Sequence, residues 1–274
     1  AAMRRAPRLG YTRPQAVTVQ RHQGLVLDWD AYGRRFDDYD TLSLGTSLRW
    51  FGRFGTIEAS GVTRTGDIGE QDHFSRLDTR WTWSDPEHMW TWTAGDLISG
   101  GLAWTRPLRM GGVQRRGNFG TRPGLILYPL PQFSADPTVP SSVELFVNNV
   151  RQFQGDVDAG PFVLSDFPRV TGARVAVAVV TDALGRTTQT SVPPYVDYQR
   201  SAKGLTDFSI EAGSLRRNYA TLSDDYDNRV VASGSWRHGV TNDLTVEMHG
   251  EGGAHMRLGG AGLAWSPLGR YGVV

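Results

Sequence analysis

The sequence predicts an all-β protein in which a long antiparallel sheet, of the kind that forms transmembrane barrels, is interrupted by a small β-sandwich. Three observations predict this fold class. Glycine and proline are frequent, with 33 and 14 residues in a chain of 274, and no stretch shows a strong helical period. Apolar and polar residues instead alternate over runs of about ten residues, as they do along strands. Prolines at both ends of residues 137–196 set that segment apart as the sandwich.

Composition excludes several classes of protein. The chain has no cysteine, so it can form neither a disulfide framework nor a cysteine-ligated metal site, and it has no thiol nucleophile. The formal net charge is +1 with both signs interspersed, which argues against a nucleic-acid-binding surface. The longest apolar run, residues 175–180, is far shorter than the roughly 18 residues of a membrane-spanning helix, whereas a barrel strand crosses with about 9 to 11 alternating residues.

Residues 1–23 are polar and irregular, and we expect a linker or the tail of an N-terminal domain there. Residues 24–136 carry alternating runs that predict the first six strands of an up-and-down sheet. Large apolar residues occupy every second position: Leu25, Leu27 and Trp29 in the first run, Leu42, Leu44, Leu48 and Trp50 in the second, Ile57 in the third, Leu77, Trp81 and Trp83 in the fourth, and Trp90 and Trp92 in the fifth. The sixth run, 113–121, is weakly patterned and follows a longer excursion at 98–112.

Residues 137–196 predict a sandwich of about five or six short strands. Val143 and Leu145 share one face of a strand at 142–147. The strand at 175–180 is apolar on both faces, as expected for a strand that is buried between two layers. Gly185 ends the turn that follows and supplies a residue that tolerates positive φ.

Residues 197–274 resume the alternation and predict continuing barrel strands. Ile210 lies between Asp207 and Glu211 in the first of these runs and faces away from both, and Met248 alternates with Glu247 in the third. The whole sequence holds about ten or eleven barrel strands. That number is too small to enclose the sandwich, because barrel diameter grows with strand number. We therefore expect an incomplete barrel.

Charges at the polar positions of these strands predict a water-filled lumen. The runs are longer than the about five or six residues that are typical of soluble strands, and tryptophans lie near their ends, where a membrane interface is expected. Both features favour a barrel over a soluble sandwich, which would also have one wet face. The candidate lumen-facing residues are Arg49, Glu58, Arg64, Arg76, Asp78, Arg80, Asp207, Glu211 and Glu247.

Several local motifs resemble those of one known family. They are GDLIS at 95–99, GGVQ at 111–114, VELFVN at 143–148, GPFVLSDFP at 160–168, and DALGR at 182–186 with GLTDF at 204–208. In this order, over about residues 24–265, they resemble the outer-membrane ushers of the chaperone–usher pilus pathway.

The resemblance implies a secretion pore in the bacterial outer membrane. Residues 137–196 would be the plug that occludes it, and the excursion at 98–112 would fold inward and help to hold the plug. The plug motif would comprise Gly160, Pro161, Phe162, Asp166, Pro168, Asp182 and Gly185. We further expect lumen charges to pair with the plug, and the candidate pairs join Arg76, Asp78 or Arg80 to Asp156, Asp158, Asp166 or Arg174.

The partners implied by the resemblance are periplasmic chaperone–pilus subunit complexes, pilus subunits in transit and outer-membrane lipid. Homodimer formation stays open, and no cofactor or nucleic acid is expected. Two other functions remain as alternatives: a soluble secreted carbohydrate-binding β-sandwich protein, whose exposed tryptophans would stack on sugars, and another plugged outer-membrane porin.

The sequence offers no catalytic or metal-binding constellation. Its six histidines show no metal-ligand spacing. The acidic segment at 223–228 lacks the glycine and the glutamate of an EF-hand loop, and the glycines at 259–262 precede neither a lysine nor a helix, as a phosphate loop requires. We therefore expect no enzymatic activity.

Overall fold

The computed structural model describes residues 8–9, 21–36, 39–66, 73–122, 125, 127–129, 133–147, 149–160, 162–164, 176–192 and 199–266. Seventeen strands and one short 3₁₀ helix make up its regular structure. The prediction of an all-β fold with long antiparallel strands is confirmed.

In chain order the strands are β1 (Arg8–Leu9), β2 (Gly24–Phe36), β3 (Tyr39–Gly52), β4 (Gly55–Gly66), β5 (His73–Asp85), β6 (Trp90–Ile98), β7 (Arg109–Gly117), β8 (Phe133–Ala135), β9 (Ser141–Val147), β10 (Val150–Val157), β11 (Phe162–Leu164), β12 (Ala176–Asp182), β13 (Thr187–Val192), β14 (Thr206–Arg216), β15 (Tyr226–Gly239), β16 (Leu244–Gly253) and β17 (Arg257–Trp265). The 3₁₀ helix, Phe119–Thr121, follows β7, and the Asn118 side chain caps it by accepting a hydrogen bond from the Gly120 N–H. The strand of the sixth run therefore ends at Gly117, before the end at residue 121 that the sequence predicted.

Ten of these strands form one antiparallel sheet, in the order β2-β3-β4-β5-β6-β7-β14-β15-β16-β17. Sheet neighbours follow one another along the chain, except that β7 pairs with β14 across the inserted segment. Within the described residues, β2 and β17 are the two open edges of this sheet. The arrangement is an up-and-down meander with one insertion.

The two faces of the ten-stranded sheet reverse the usual distribution of polar and apolar residues. One face, here the apolar face, leaves Leu25 66%, Trp29 70% and Ile210 64% exposed. The opposite face, here the polar face, buries Glu211 and His249 on β14 and β16. A solvated sheet normally buries its apolar face, so this sheet fits a surrounding that is itself apolar.

Two irregularities occur where β6 separates from β5. The register shifts between Ala59 and Gly61, because Ala59 pairs with Thr79 whereas Gly61 pairs with Arg76. This bulge corrects the strict alternation that the sequence predicted for Arg76, Asp78 and Arg80. Pairing of β5 with β6 then ends at Gly95, where φ is +107°, whereas β6 and β7 stay paired as far as Ile98 and Arg109. Residues 95–112 thus form a hairpin, the β6–β7 hairpin, that leaves β5.

The inserted segment contains a small sandwich with an apolar core. A four-stranded sheet has the order β10-β9-β12-β13, and a three-stranded sheet has the order β1-β11-β8. The core consists of Val143, Leu145, Val157, Phe162 and Ala178. Two strands of the smaller sheet lie outside residues 137–196: β8 begins at Phe133, and β1 pairs with β11 in parallel.

Candidate functional site: the polar face and the hairpin across it

The polar face of the first strands carries a ladder of alternating charge. Arg49 lies opposite Glu58, and Glu58 lies opposite Arg80. The Arg80 guanidinium is 2.8 Å from the Glu58 carboxylate, and Arg49 is 2.6 Å from Asp28. Such partly exposed pairs contribute only about 0 to 1 kcal/mol each. This part of the polar face is wet and weakly cross-linked.

The polar face of β14 and β15 is covered by the β6–β7 hairpin. Glu211, only 2% exposed, accepts hydrogen bonds from Gln114 Nε2 at 2.9 Å and from the Gly100 N–H at 3.2 Å. Ser235 Oγ donates to the Gly100 carbonyl oxygen at 3.3 Å. Every contact joins the hairpin, or the strand that leads from it, to the second half of the sheet. The hairpin therefore lies across the polar face.

Trp104, at the tip of the hairpin, anchors it further along the same face. Its indole N–H donates to Glu247 Oε2 at 2.8 Å, and its ring meets the His249 ring edge-on with centroids 6.0 Å apart. A β-carbon at Gly260 would lie 2.9 Å from the indole, and one at Gly262 would lie 3.0 Å from it. Gly260 and Gly262 of β17 therefore form a flat platform for the indole ring, because a side chain at either position would crowd it.

His249 is satisfied by its own strand and its neighbour. Nδ1 is 2.9 Å from Ser235 Oγ, and Nε2 is 2.9 Å from Glu251 Oε1. Glu247, two residues away on the same face, pairs with Arg237 at 2.7 Å. The polar groups beneath the hairpin thus bind one another, as buried polar groups generally do.

A second polar cluster ties the base of the hairpin to both halves of the sheet. Asp96 accepts hydrogen bonds from Arg76, from Tyr226, from Arg216 at 2.9 Å and from the Thr79 N–H at 2.8 Å. The Asp96 and Arg216 side chains are 1% and 0% exposed. A fully buried, multiply bonded ion pair of this kind is costly to break. We call these residues the seam cluster.

The connection between β14 and β15, residues 217–225, binds β5 directly beside this cluster. Ser75 Oγ donates to the Thr221 carbonyl oxygen at 3.0 Å, and the Arg76 N–H donates to Ser223 Oγ at 3.0 Å. Arg64 donates to the Ala220 carbonyl oxygen at 2.8 Å. The connection therefore bonds to β5 at the level where β6 no longer does.

Asp78 joins this connection to the hairpin. It accepts hydrogen bonds from Arg109 at 2.9 Å and from the Tyr219 hydroxyl at 3.0 Å. Burial, together with the nearby Asp78 carboxylate, raises the pKa of Tyr219 above its usual value. The phenol is thus held in its neutral, hydrogen-bond-donating form.

The predicted lumen residues fall into three groups. Arg49, Glu58 and Arg80 form the ladder; Arg76 belongs to the seam cluster, with Arg64 and Asp78 beside it; and Glu211 and Glu247 lie beneath the hairpin. The ninth, Asp207, lies opposite Arg237 in the sheet register. Arg76, Asp78 and Arg80 all bond to residues of the sheet and its connections. Of their expected sandwich partners, Asp156 and Asp158 are exposed, and Asp166 and Arg174 lie outside the described residues.

The plug motif contributes backbone geometry to the sandwich. Gly160 has a φ of +124°, and its N–H donates to the Pro137 carbonyl oxygen at 2.8 Å. Phe162 is in the apolar core. Asp182 accepts hydrogen bonds from the N–H groups of Leu184 and Arg186, closing a turn in which Gly185 has a φ of +81°. The remaining motif residues, Pro161, Asp166 and Pro168, lie outside the described residues.

Sequence reasoning missed the residues that do most of the binding here: Asp96, Trp104, Gln114, Arg216 and His249. Asp96 and Gln114 belong to the GDLIS and GGVQ motifs. The motifs were noticed, but the spacing of their residues did not predict what either side chain binds. Arg216 gave no signal, because its partner Asp96 is 120 residues away. Trp104 was one of nine tryptophans.

The described residues contain no group of three or more His, Asp or Glu side chains that could hold a metal ion. In the acidic segment at 223–228, Asp224 pairs with Arg76 and Asp227 pairs with Arg217. Within the same part of the chain, no helix is both long and apolar enough to cross a membrane.

Comparison with known proteins identifies the architecture. The sequence matches no protein-family model and no curated protein. Among solved structures, the chain is similar to PapC in the E. coli P pilus tip assembly intermediate PapC-PapD-PapK-PapG, with a TM-score of 0.60, 18% identity, and coverage of 93% of this chain and 32% of that one. The chain has the usher fold.

Two structures of the PapC translocation pore are also similar. The P pilus usher pore gives a TM-score of 0.45 at 16% identity and covers 88% of this chain and 50% of that one. A crystal structure of the PapC pore gives 0.45 at 14% identity and covers 89% and 52%. The present chain therefore spans about a third to a half of the usher chains that it matches.

Proposed function

We propose that this chain is the first part of an outer-membrane usher pore that secretes and assembles chaperone-delivered pilus subunits, with the sandwich as its gate. The observation that carries the proposal is the β6–β7 hairpin lying across the polar face, bound through Gly100 to Glu211 and through Trp104 to Glu247. A hairpin held inside a polar lumen is a support on which a plug can rest.

The distribution of residues between the two faces supports a membrane location. Exposed apolar side chains occur from the first strand of the sheet to the last, from Leu25 to Leu263. Strands of 9 to 14 residues reach the length that a tilted bilayer crossing requires, which is about 9 to 11 residues. In water such a surface would promote aggregation. In a bilayer the same surface would contact lipid chains.

The sandwich supports the gating role because it is a separate folding unit. Its core residues pack on one another, and the chain enters and leaves it between β7 and β14, which are neighbours in the large sheet. The strand β1, which precedes β2, also joins the smaller sheet of the sandwich, so two stretches of chain connect the wall to a body that can move as a unit. The partners of this pore would be periplasmic chaperone–subunit complexes and the subunits in transit, and its surroundings would be outer-membrane lipid.

The test is planar-bilayer conductance of the full-length protein that contains this chain. One variant replaces residues 133–196 by a Gly/Ser linker, and a matched control inserts the same linker at the exposed turn 183–185, which leaves the sandwich in place. We expect the parent and the control to be closed and the replacement to give a large, steady conductance. If neither form inserts, the proposal is wrong and a soluble sugar-binding sheet takes its place.

A further inference from the structure

Arg115 places a cation on the apolar face of the sheet. Arg115 on β7 is opposite Trp92 on β6 and Ile210 on β14, and these two neighbours are 40% and 64% exposed. Val113, on the same face of β7, is exposed as well. Arg115 therefore belongs to a row of side chains that we assign to lipid. An arginine in such a row is unfavourable unless a partner stabilises it.

Aromatic rings hold the Arg115 guanidinium in place. Its central carbon is 3.2 Å from the centroid of the Trp90 ring, 5.5 Å from that of Trp92 and 5.8 Å from that of Phe208. Contacts of this kind stabilise a cation by about 0.5 to 2 kcal/mol. The guanidinium is therefore fixed in one orientation, under a collar formed by Trp90, Trp92 and Phe208.

The collar supplies no anion. Arg115 Nε is buried and has no hydrogen-bond partner within the described residues. The Asp85 carboxylate, at the same end of the sheet, is 2.7 Å from His88 Nδ1. A buried N–H without an acceptor is uncommon, and on a face that we assign to lipid the unpaired Nε of Arg115 indicates a ligand.

The position of Arg115 along the strand gives the depth of this ligand. β7 ends at Gly117 and β6 begins at Trp90, so Arg115 lies close to one rim of the sheet. An arginine facing lipid costs about 2 to 4 kcal/mol at the bilayer midplane and about 0 to 1 kcal/mol near an interface. Tryptophan is enriched at that same depth. The rim of the apolar face is therefore level with lipid headgroups.

We propose that Arg115 and the collar bind the phosphodiester of a glycerophospholipid. The proposal rests on the membrane location given above. A guanidinium presents its N–H groups in a planar fork that matches two phosphate oxygens. Val113, on the same face and further from the rim, and Ile210, level with Arg115, continue the site with an apolar surface for an acyl chain. This combination selects a lipid phosphate over a free one.

The experiment measures phospholipid binding to the full-length protein in detergent by native mass spectrometry. Phosphatidylglycerol is titrated against the parent, Arg115→Met and Arg115→Lys, with Arg49→Met as a control that removes an arginine from the polar face. We expect Arg115→Met to bind about tenfold more weakly, as the loss of one charge-assisted contact implies, and Arg115→Lys to fall in between. Equal binding by parent and Arg115→Met would overturn the proposal.

Two further arms identify the ligand group and separate this proposal from the proposed function. Diacylglycerol, which lacks phosphate, and inorganic phosphate, which lacks chains, are both expected to bind the parent weakly; strong binding of either one overturns the assignment. Brominated acyl chains are expected to quench tryptophan fluorescence equally in parent and Arg115→Met. Absence of quenching in both would refute the membrane location itself, whereas quenching with unchanged headgroup binding would refute only the Arg115 site.

Discussion

The sandwich and the ten-stranded sheet are built from the same kind of strand but have opposite interiors. In the sandwich, Val143, Leu145 and Ala178 are completely buried. In the large sheet, the most completely buried side chains include Glu211, Thr245 and Asp96, whereas Leu25, Leu27, Trp29 and other large apolar residues are exposed. The same alternating pattern thus gives an apolar core in one region and a polar one in the other.

The difference lies in what stabilises each region. The sandwich removes apolar area from water, and a lost methyl group costs it packing and transfer energy. Beneath the hairpin and in the seam cluster, hydrogen bonds among buried groups hold the large sheet together, so the loss of one partner leaves another unsatisfied. The substitutions that destabilise most should therefore be those of buried apolar residues in the sandwich and of buried polar residues in the large sheet.

The largest effect is expected for Arg216→Met in the seam cluster. Arg216 binds Asp96 and the carbonyl oxygens of Arg76 and Ser223, and removal of one member of a buried ion pair costs about 3 to 5 kcal/mol. Heat-modifiable gel mobility of the full-length protein measures the loss. Arg49→Met, which removes an exposed pair, should cost about 0 to 1 kcal/mol. Similar melting of the two variants would contradict the buried polar interior.

Leu145→Ala should cost about 2 to 5 kcal/mol in the sandwich, because it opens a cavity in the apolar core. A sandwich of about 60 residues has little stability to lose, so we expect rapid proteolysis within residues 133–192 while the large sheet stays intact. Val150→Ala, at an exposed position, is the matched control. Protease resistance equal to that of the control would show that this core is not what holds the sandwich together.

Leu44→Arg tests the exposed apolar face, because Leu44 lies on that face in the middle part of β3. In a bilayer the substitution should cost about 2 to 4 kcal/mol, and we expect reduced yield of folded protein on refolding into lipid vesicles. Leu222→Arg, in the connection 217–225 and likewise apolar and exposed, should refold as the parent does. In a water-facing sheet Leu44→Arg would instead be neutral, which would reverse the assignment of the faces.

The sequence predicted the strands and most of their faces, because alternation is a local property of the chain. Leu25, Ile57 and Ile210 all lie on the expected apolar face. Polar partners were harder to predict, because Trp104 and Glu247 are 143 residues apart and meet only after the hairpin has left β5. The bulge in β5 also breaks the strict alternation that the spacing of Arg76, Asp78 and Arg80 indicated.

Trp104→Phe should have a smaller effect, confined to the hairpin. The substitution keeps a ring on the glycine platform but removes the N–H that donates to Glu247, a hydrogen bond to a charged group worth about 1.5 to 3 kcal/mol. Hydrogen exchange of residues 99–108 should accelerate while the rest of the sheet is unchanged. Gly260→Val, which places side-chain atoms against the indole, should do the same by a different route. Unchanged exchange in both variants would mean that the tip is not anchored here.

The smallest effect is a pH dependence in the sandwich. Burial acts to raise the pKa of Asp182, but hydrogen bonds from the Arg186 N–H, the Arg186 guanidinium and the Leu184 N–H outweigh it, and the pKa lies below its ordinary value of 3.8. A depressed folded-state pKa stabilises the fold above the unfolded-state pKa, and this stabilisation is lost as the pH falls through the folded-state value. Asp182→Asn should therefore unfold more easily than the parent at about pH 6, with the difference shrinking toward about pH 3. An Asn variant that melts like the parent at every pH would show that the turn depends on Gly185 and not on the carboxylate.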